Sequence, residues 1–104
     1  MPAKNELEVC YYNLKPTTAG NITSVGTNTN AVPSRGSNYT TGTPAQTSAA
    51  AFKDTGAEDF STATYWSSSE ISTNAANAWS ANFNTGGQYN GYGKNASLRV
   101  RAIR

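Results

Sequence analysis

Two hydrophobic periods divide the chain. From Pro2 to Lys15 the apolar residues recur at helical spacing: Leu7, Cys10, Tyr11 and Leu14 share one face, with Ala3 one turn earlier. Pro2 suits the first helical position, and Pro16 stops the helix after Lys15. Residues 17–42 then form a long polar loop in which Ile22, Val25, Val32 and Tyr39 are the local apolar pins. A loop of that length is functional, disordered or held by a partner. The stretch TPAQTSAAAFK predicts a short second helix, with Thr43 as N-cap, Pro44 at the first position, and Ala45, Ala49 and Phe52 on one face. Gly56 ends that region.

Beyond it the period falls to two. TYWSSSE reads as a strand containing Trp66. NAWSANFN is a cleaner one, with Trp79, Ala81 and Phe83 on one side and Ser80, Asn82 and Asn84 on the other. SLRVRAIR predicts a last strand, Leu98, Val100 and Ala102 facing one way and Arg99 and Arg101 the other. Asn90-Gly91 is a hairpin-turn dipeptide, so the stretch around it, Asn84 to Asn95, links two neighbouring antiparallel strands. Two helices followed by short strands make an α+β domain. At 104 residues it is a single one, covering 1–104.

Composition sharpens this picture. Charged residues are only 13%, about half the usual share, so the surface is neutral and built from Asn, Thr, Ser and Gly. That suits a protein working outside the cytosol or packed into a larger assembly. A net charge of +2, with no basic patch interleaved with stacking aromatics, argues against nucleic acid. The chain shows no signal-peptide pattern and no membrane-length apolar run. The lone Cys10 excludes an intrachain disulfide and reads as a buried structural thiol.

Much chemistry is missing. With no histidine, the usual serine triads and a conventional zinc site cannot be built from this chain. The six carboxylates make no catalytic pattern: Glu6 and Glu8, two apart on a helix, do not face each other, and Glu58-Asp59 lacks the regular calcium loop. GGQYNGYGKN fails as a phosphate loop, because Asn95 follows Lys94 and Gln88 stands where a glycine is required. The sequons at Asn21, Asn38 and Asn95 are about as many as chance supplies in so Asn-, Ser- and Thr-rich a chain, so they carry little weight. No cofactor and no enzymatic activity are expected.

One pattern is more specific. YWSSSE, then AWSANF, a Gly-rich gap, a Lys and RVRAIR resemble the C-terminal half of a bacterial and phage C-type-lectin-like family found at collagen-like adhesin tips. That family is distantly similar to the formylglycine-generating-enzyme fold and to the variable proteins of diversity-generating retroelements. PAKNELEVCYYNL is similar to the family's first helix, so the matches span the greater part of the chain. The whole looks most like tail-fibre or other virion proteins of marine tailed phages. The resemblance implies a C-type-lectin-like domain of two helices and a short-stranded antiparallel sheet. The family's N-terminal strand and its Trp-containing segment have no counterpart here, and the Glu-Pro-Asn and Trp-Asn-Asp motifs of calcium-dependent lectins are absent. A formylglycine-generating activity is excluded, since its copper-binding cysteine pair cannot form from one Cys.

Under this resemblance Trp66, Trp79 and Phe83 are core, and Glu70 forms a buried ion pair with Arg99 or Arg101. The segment before the final strand is displayed on the exposed face. Tyr offers broad contact area at low entropic cost, and Asn and Ser offer adaptable hydrogen bonds. The expected ligand-binding set is therefore Asn74, Asn77, Ser80, Asn82, Asn84, Gln88, Tyr89, Asn90, Tyr92, Lys94 and Asn95. The alternative is a solvated hairpin whose Gly and Asn serve the turn. The expected function is a recognition module on a virion surface, a homo-oligomer and most simply a trimer, contacting host glycan or protein. A structural virion or fibre-joining protein, held by other virion proteins, is the second reading. A retroelement-diversified variable protein is the third.

Overall fold

Helix α1 spans Lys4–Leu14, and Leu7, Glu8 and Tyr11 are its buried residues in the computed structural model, which describes residues 1–101. Pro2 precedes the helix instead of opening it. Its carbonyl accepts from the Ser68 amide (2.8 Å), the Lys4 amide donates to Ser69 Oγ (2.9 Å), and the Ala3 amide donates to Glu6 Oε1 (2.9 Å). Amides at a helix start have no partner within the helix, and here a strand side chain supplies one.

That side chain is available because strand β1 (Thr64–Ile71) bulges. Trp66 pairs with Ser80 and Glu70 with Ala78 on strand β2 (Asn74–Asn82), so the serines at 67–69 oppose Trp79 alone. Ser67 Oγ donates to the Trp79 carbonyl (2.8 Å), and its neighbours reach the N-terminal segment. The polar run in YWSSSE thus seats helix α1 on the sheet.

Strand β3 (Gln88–Tyr89) pairs antiparallel with β2, giving the order β1-β2-β3. The expected final antiparallel strand is not formed among the described residues. The chain instead crosses to the far edge of β1, where Arg99 makes one parallel bridge to Tyr65. The Arg99 amide donates to the Thr64 carbonyl (3.1 Å) and its carbonyl accepts from the Trp66 amide (2.8 Å). Ala102 lies outside the described residues.

The expected second helix is also absent. Residues 43–49 are irregular and a single 3-10 turn, Ala50–Phe52, follows. Ala45 and Ala49 are exposed, so the proposed face had little area to bury. The backbone bonds instead to the end of α1: the Thr47 amide donates to the Lys15 carbonyl (2.9 Å) and the Asp54 amide to the Pro16 carbonyl (2.9 Å). One helix and a three-stranded antiparallel sheet make a small α+β domain. The two-helix, C-type-lectin-like fold implied by the resemblance is not what this chain forms.

The core lies between α1 and one sheet face and comprises Leu7, Tyr11, Tyr39, Phe60, Tyr65, Ala81 and Phe83. Phe83 stacks on Phe60 at 4.4 Å and meets Tyr65 and Tyr11 edge-on at 5.2 and 5.6 Å. Trp66 and Trp79, expected beside it, are only half-buried and stand outside this cluster. Trp66 is in register with Ser80, one position off the Tyr65–Ala81 pair that faces the helix, so alternation turns it to the other sheet face. Cys10 packs half-buried at the margin, where burial, and after it Glu6, pushes its thiol pKa up.

Residues 17–42 are held chiefly by polar groups. Glu8, buried on α1, pairs with Arg35 and accepts from the Tyr39 hydroxyl and from Asn28 Nδ2 (2.7 Å). Arg35 also donates to the Gly26 carbonyl (2.9 Å) and stacks on Tyr12 (3.9 Å to the ring centre). Around a second centre, Asn21 Oδ1 accepts from the Tyr11 hydroxyl and from Lys15 Nζ (2.9 Å). Asn21 Nδ2 donates to the carbonyls of Thr40, Thr41 and Pro44 at 3.1, 3.2 and 2.8 Å. Of the four expected apolar pins only Tyr39 is fully buried, and Val32 is 98% exposed.

This arrangement sets the alkaline limit of the fold. Burial raises the pKa of Tyr11 and Tyr39 well above the usual 10, for Tyr39 with help from its hydrogen bond to Glu8. Above pH 10 the unfolded chain loses these protons while the folded one keeps them, so stability falls as pH rises. Burial lowers the pKa of Lys15 below 10.5, which acts in the opposite sense, stability rising with pH until the unfolded lysine has itself deprotonated. A pH titration followed by tyrosinate absorbance, beside Tyr11→Phe and Tyr39→Phe, is expected to show that Tyr11 and Tyr39 ionise only with a cooperative alkaline unfolding step.

Candidate functional site

Beyond β3 the chain stays alongside β2 but not in regular register. From the Ser80–Tyr89 pair to the Asn77–Gly93 bridge, β2 advances three residues and the outer segment four. The extra residue makes Asn90, Gly91 and Tyr92 bow outward as a bulge. It is not the hairpin turn that Asn90-Gly91 predicts. Asn77 Nδ2 donates to the Asn90 carbonyl (3.2 Å), and the Lys94 amide donates to the Ala76 carbonyl (2.8 Å), pinning both ends of the bow.

On it, Gln88, Tyr89, Asn90, Gly91 and Tyr92 line a shallow depression of about 400 Å³. The Tyr89 and Tyr92 rings meet edge-to-face, 6.2 Å apart at 82°. Tyr89 is half-buried, its phenol lying over Gly87, where any Cβ would strike the ring and hydroxyl. Tyr92 is 40% exposed. One aromatic is therefore held in place and the other is presented to solvent, with carboxamides on either side.

The remaining expected ligand residues divide. Asn77 underpins the bow from β2. Ser80 is 2% exposed, lying between Trp66 and Tyr89 in the sheet register, so it cannot meet a ligand. Its hydroxyl has no hydrogen-bond partner among the described residues. Asn82 Oδ1 accepts from the Asn84 backbone amide (2.8 Å), which commits the Asn82 side chain to the turn after β2 and leaves that of Asn84 exposed. There Gly86, at φ +75°, lies so close to Tyr11 that a side chain would enter its ring. Asn74 Oδ1 accepts from the Ala76 amide (3.1 Å) where β2 begins, and Asn95 is exposed beyond Gly93.

Lys94 is engaged by Glu70 at 2.7 Å, both side chains well exposed, and the Lys94 hydrogen bond and charge lower the Glu70 pKa. Glu70 thus makes a surface pair, not the buried one expected with Arg99 or Arg101. Arg99 reaches Ser61 Oγ (3.3 Å). Arg101 donates to the Asp59 and Glu58 carbonyls (2.8 and 3.0 Å) and covers the Phe60 ring.

A second concavity, about 280 Å³, shares Gln88 with the first and includes Lys4, Thr27, Asn38 and Trp79. Sequence reasoning placed Trp79 in the core and gave Lys4 and Asn38 no role. The signal available was that AANAWSAN surrounds an indole with side chains too small to cover it. Comparison of the chain with models of known protein families, with curated proteins and with solved structures finds no match.

Proposed function

We propose that this protein is a non-enzymatic recognition module whose Gln88–Tyr92 shelf contacts a glycan on a bacterial surface, in the virion setting that the sequence resemblance implies. The observation that carries the reading is the edge-to-face pair of Tyr89 and Tyr92 on a bowed, open segment. The fold uses Tyr89 to cover Gly87, but it leaves Tyr92 free. A shallow surface of aromatic rings and carboxamides suits a ligand with apolar C–H faces and many hydroxyls, since each ring supplies contact area and each amide both donates and accepts.

The test is retention of labelled, folded protein on a panel of intact bacterial cells, beside Tyr92→Ala. Selective retention is expected, with loss of at least roughly tenfold in the variant, as for an exposed aromatic anchor. Because Tyr92 is outside the core, circular dichroism of the variant stays unchanged. Absence of retention on every strain, or retention indifferent to Tyr92, rejects the reading.

A further inference from the structure

The groove around Trp79 belongs to neither the core nor the shelf, yet its composition is selective. We infer that it is a subsite for a carboxylate-bearing sugar, sharing Gln88 with the shelf; this rests on the glycan-binding reading above. The Lys4 ammonium stands 4.1 Å from the Trp79 ring centre. No carboxylate lies within ion-pair distance of it among the described residues, whereas Arg35, Lys94 and Arg101 each have one. A half-buried cation placed on an aromatic face is oriented without being neutralised.

The walls supply the rest. Thr27 Oγ1 donates to Asn38 Oδ1 (2.8 Å), which fixes the carboxamide and leaves its amide nitrogen to donate. Gln88 makes no side-chain hydrogen bond among the described residues, so both ends of its carboxamide remain for a ligand. Asn38 precedes Tyr39, whose hydroxyl is held by Glu8, so one wall of the groove is fixed by the buried network. A sugar ring seated in the groove beside the Lys4-covered indole would present its hydroxyls to Asn38 and Gln88 and a carboxylate to Lys4. A neutral sugar would fill the same space and leave the cation without a partner. The long polar loop then has a purpose: it forms the side of the groove that α1 and the sheet leave open.

An array of oligosaccharides printed in pairs tests this, each uronic-acid-terminated member beside its carboxyl-reduced counterpart. Wild type is expected to favour the acidic member by roughly tenfold, the scale of one hydrogen bond to a charged group. That preference is expected to shrink with added salt. Lys4→Met keeps an apolar stem over the indole; it should remove the preference and retain binding to the reduced members. Tyr92→Ala should lose both. Equal binding of wild type to the two members, or a preference that survives in Lys4→Met, overturns the subsite while leaving the shelf intact. No saccharide binding by folded wild type overturns both.

Discussion

Replacing Glu8 with alanine is expected to lower stability by roughly 3–5 kcal/mol, the range for removing one partner of a buried ion pair. The Glu8 side chain is 1% exposed, and it receives hydrogen bonds from Arg35, Tyr39 and Asn28. Without it a guanidinium, a phenol and a carboxamide are left facing a void, and the guanidinium carries an uncompensated charge. For a domain of this size the loss is a large part of the whole, because net stabilities are about 5–15 kcal/mol. Urea unfolding followed by circular dichroism measures it. Glu8→Gln separates the terms, since it keeps an acceptor for Tyr39 and removes the charge partner of Arg35. A midpoint in Glu8→Ala within error of wild type would show that the network does not hold residues 17–42.

Phe83→Ala is expected to cost a similar amount, roughly 3–5 kcal/mol for a fully buried phenylalanine. Phe83 is 0% exposed and touches three other rings, so the cavity left behind is bounded by Phe60, Tyr65 and Tyr11. Tyr65 is fixed by the sheet, Tyr11 by Asn21, and Phe60 is covered by Arg101, which limits collapse into the space. Trp66→Ala is the informative comparison. The indole is larger but half-buried outside the cluster, so its removal is expected to cost clearly less than loss of Phe83. The reverse order in denaturant unfolding would place the core on the wrong sheet face. Because Tyr11 and Tyr39 pack together at 5.7 Å, the Glu8 and Phe83 effects meet in shared neighbours and are not expected to add.

How much of this was legible in the sequence depended on whether a residue's role was set locally. Leu7 and Tyr11 repeat at helical spacing, and Ala81 and Phe83 alternate, so α1, β2 and their core faces could be read from pattern alone. The second helix failed because alanine favours a helix without supplying an apolar face, and distant carbonyls at Lys15 and Pro16 took the backbone donors. SLRVRAIR alternates like a strand, but periodicity says nothing about which edge a segment joins or in which direction. Glu8 was missed because a carboxylate beside Leu7 looks solvated until Arg35, 27 residues on, is brought against it. The shelf was visible as composition, since Tyr, Asn and Gly without apolar cover mark a displayed segment. Its boundaries were not visible: burial of Ser80 is a product of register, and the bonds of Asn74 and Asn82 to amides two residues on are local turn contacts that composition does not distinguish from free side chains. Trp79 could be placed on a face, but not at that face's open margin.

The central claim is that the β2–β3 edge, and not the groove around Trp66 on β1, meets the ligand. The chain's two tryptophans report on these places separately, Trp79 lining the groove at Gln88 and Trp66 lining the one with Val100 and Met1. Isotope-labelled protein titrated with its strongest array saccharide resolves the two indole N–H resonances. The Trp79 resonance should move saturably, with the backbone amides of Gln88 to Tyr92, while Trp66 stays in place. Movement of Trp66 with Trp79 and the Gln88 to Tyr92 amides unchanged would put the binding surface in the Trp66 groove and contradict the account.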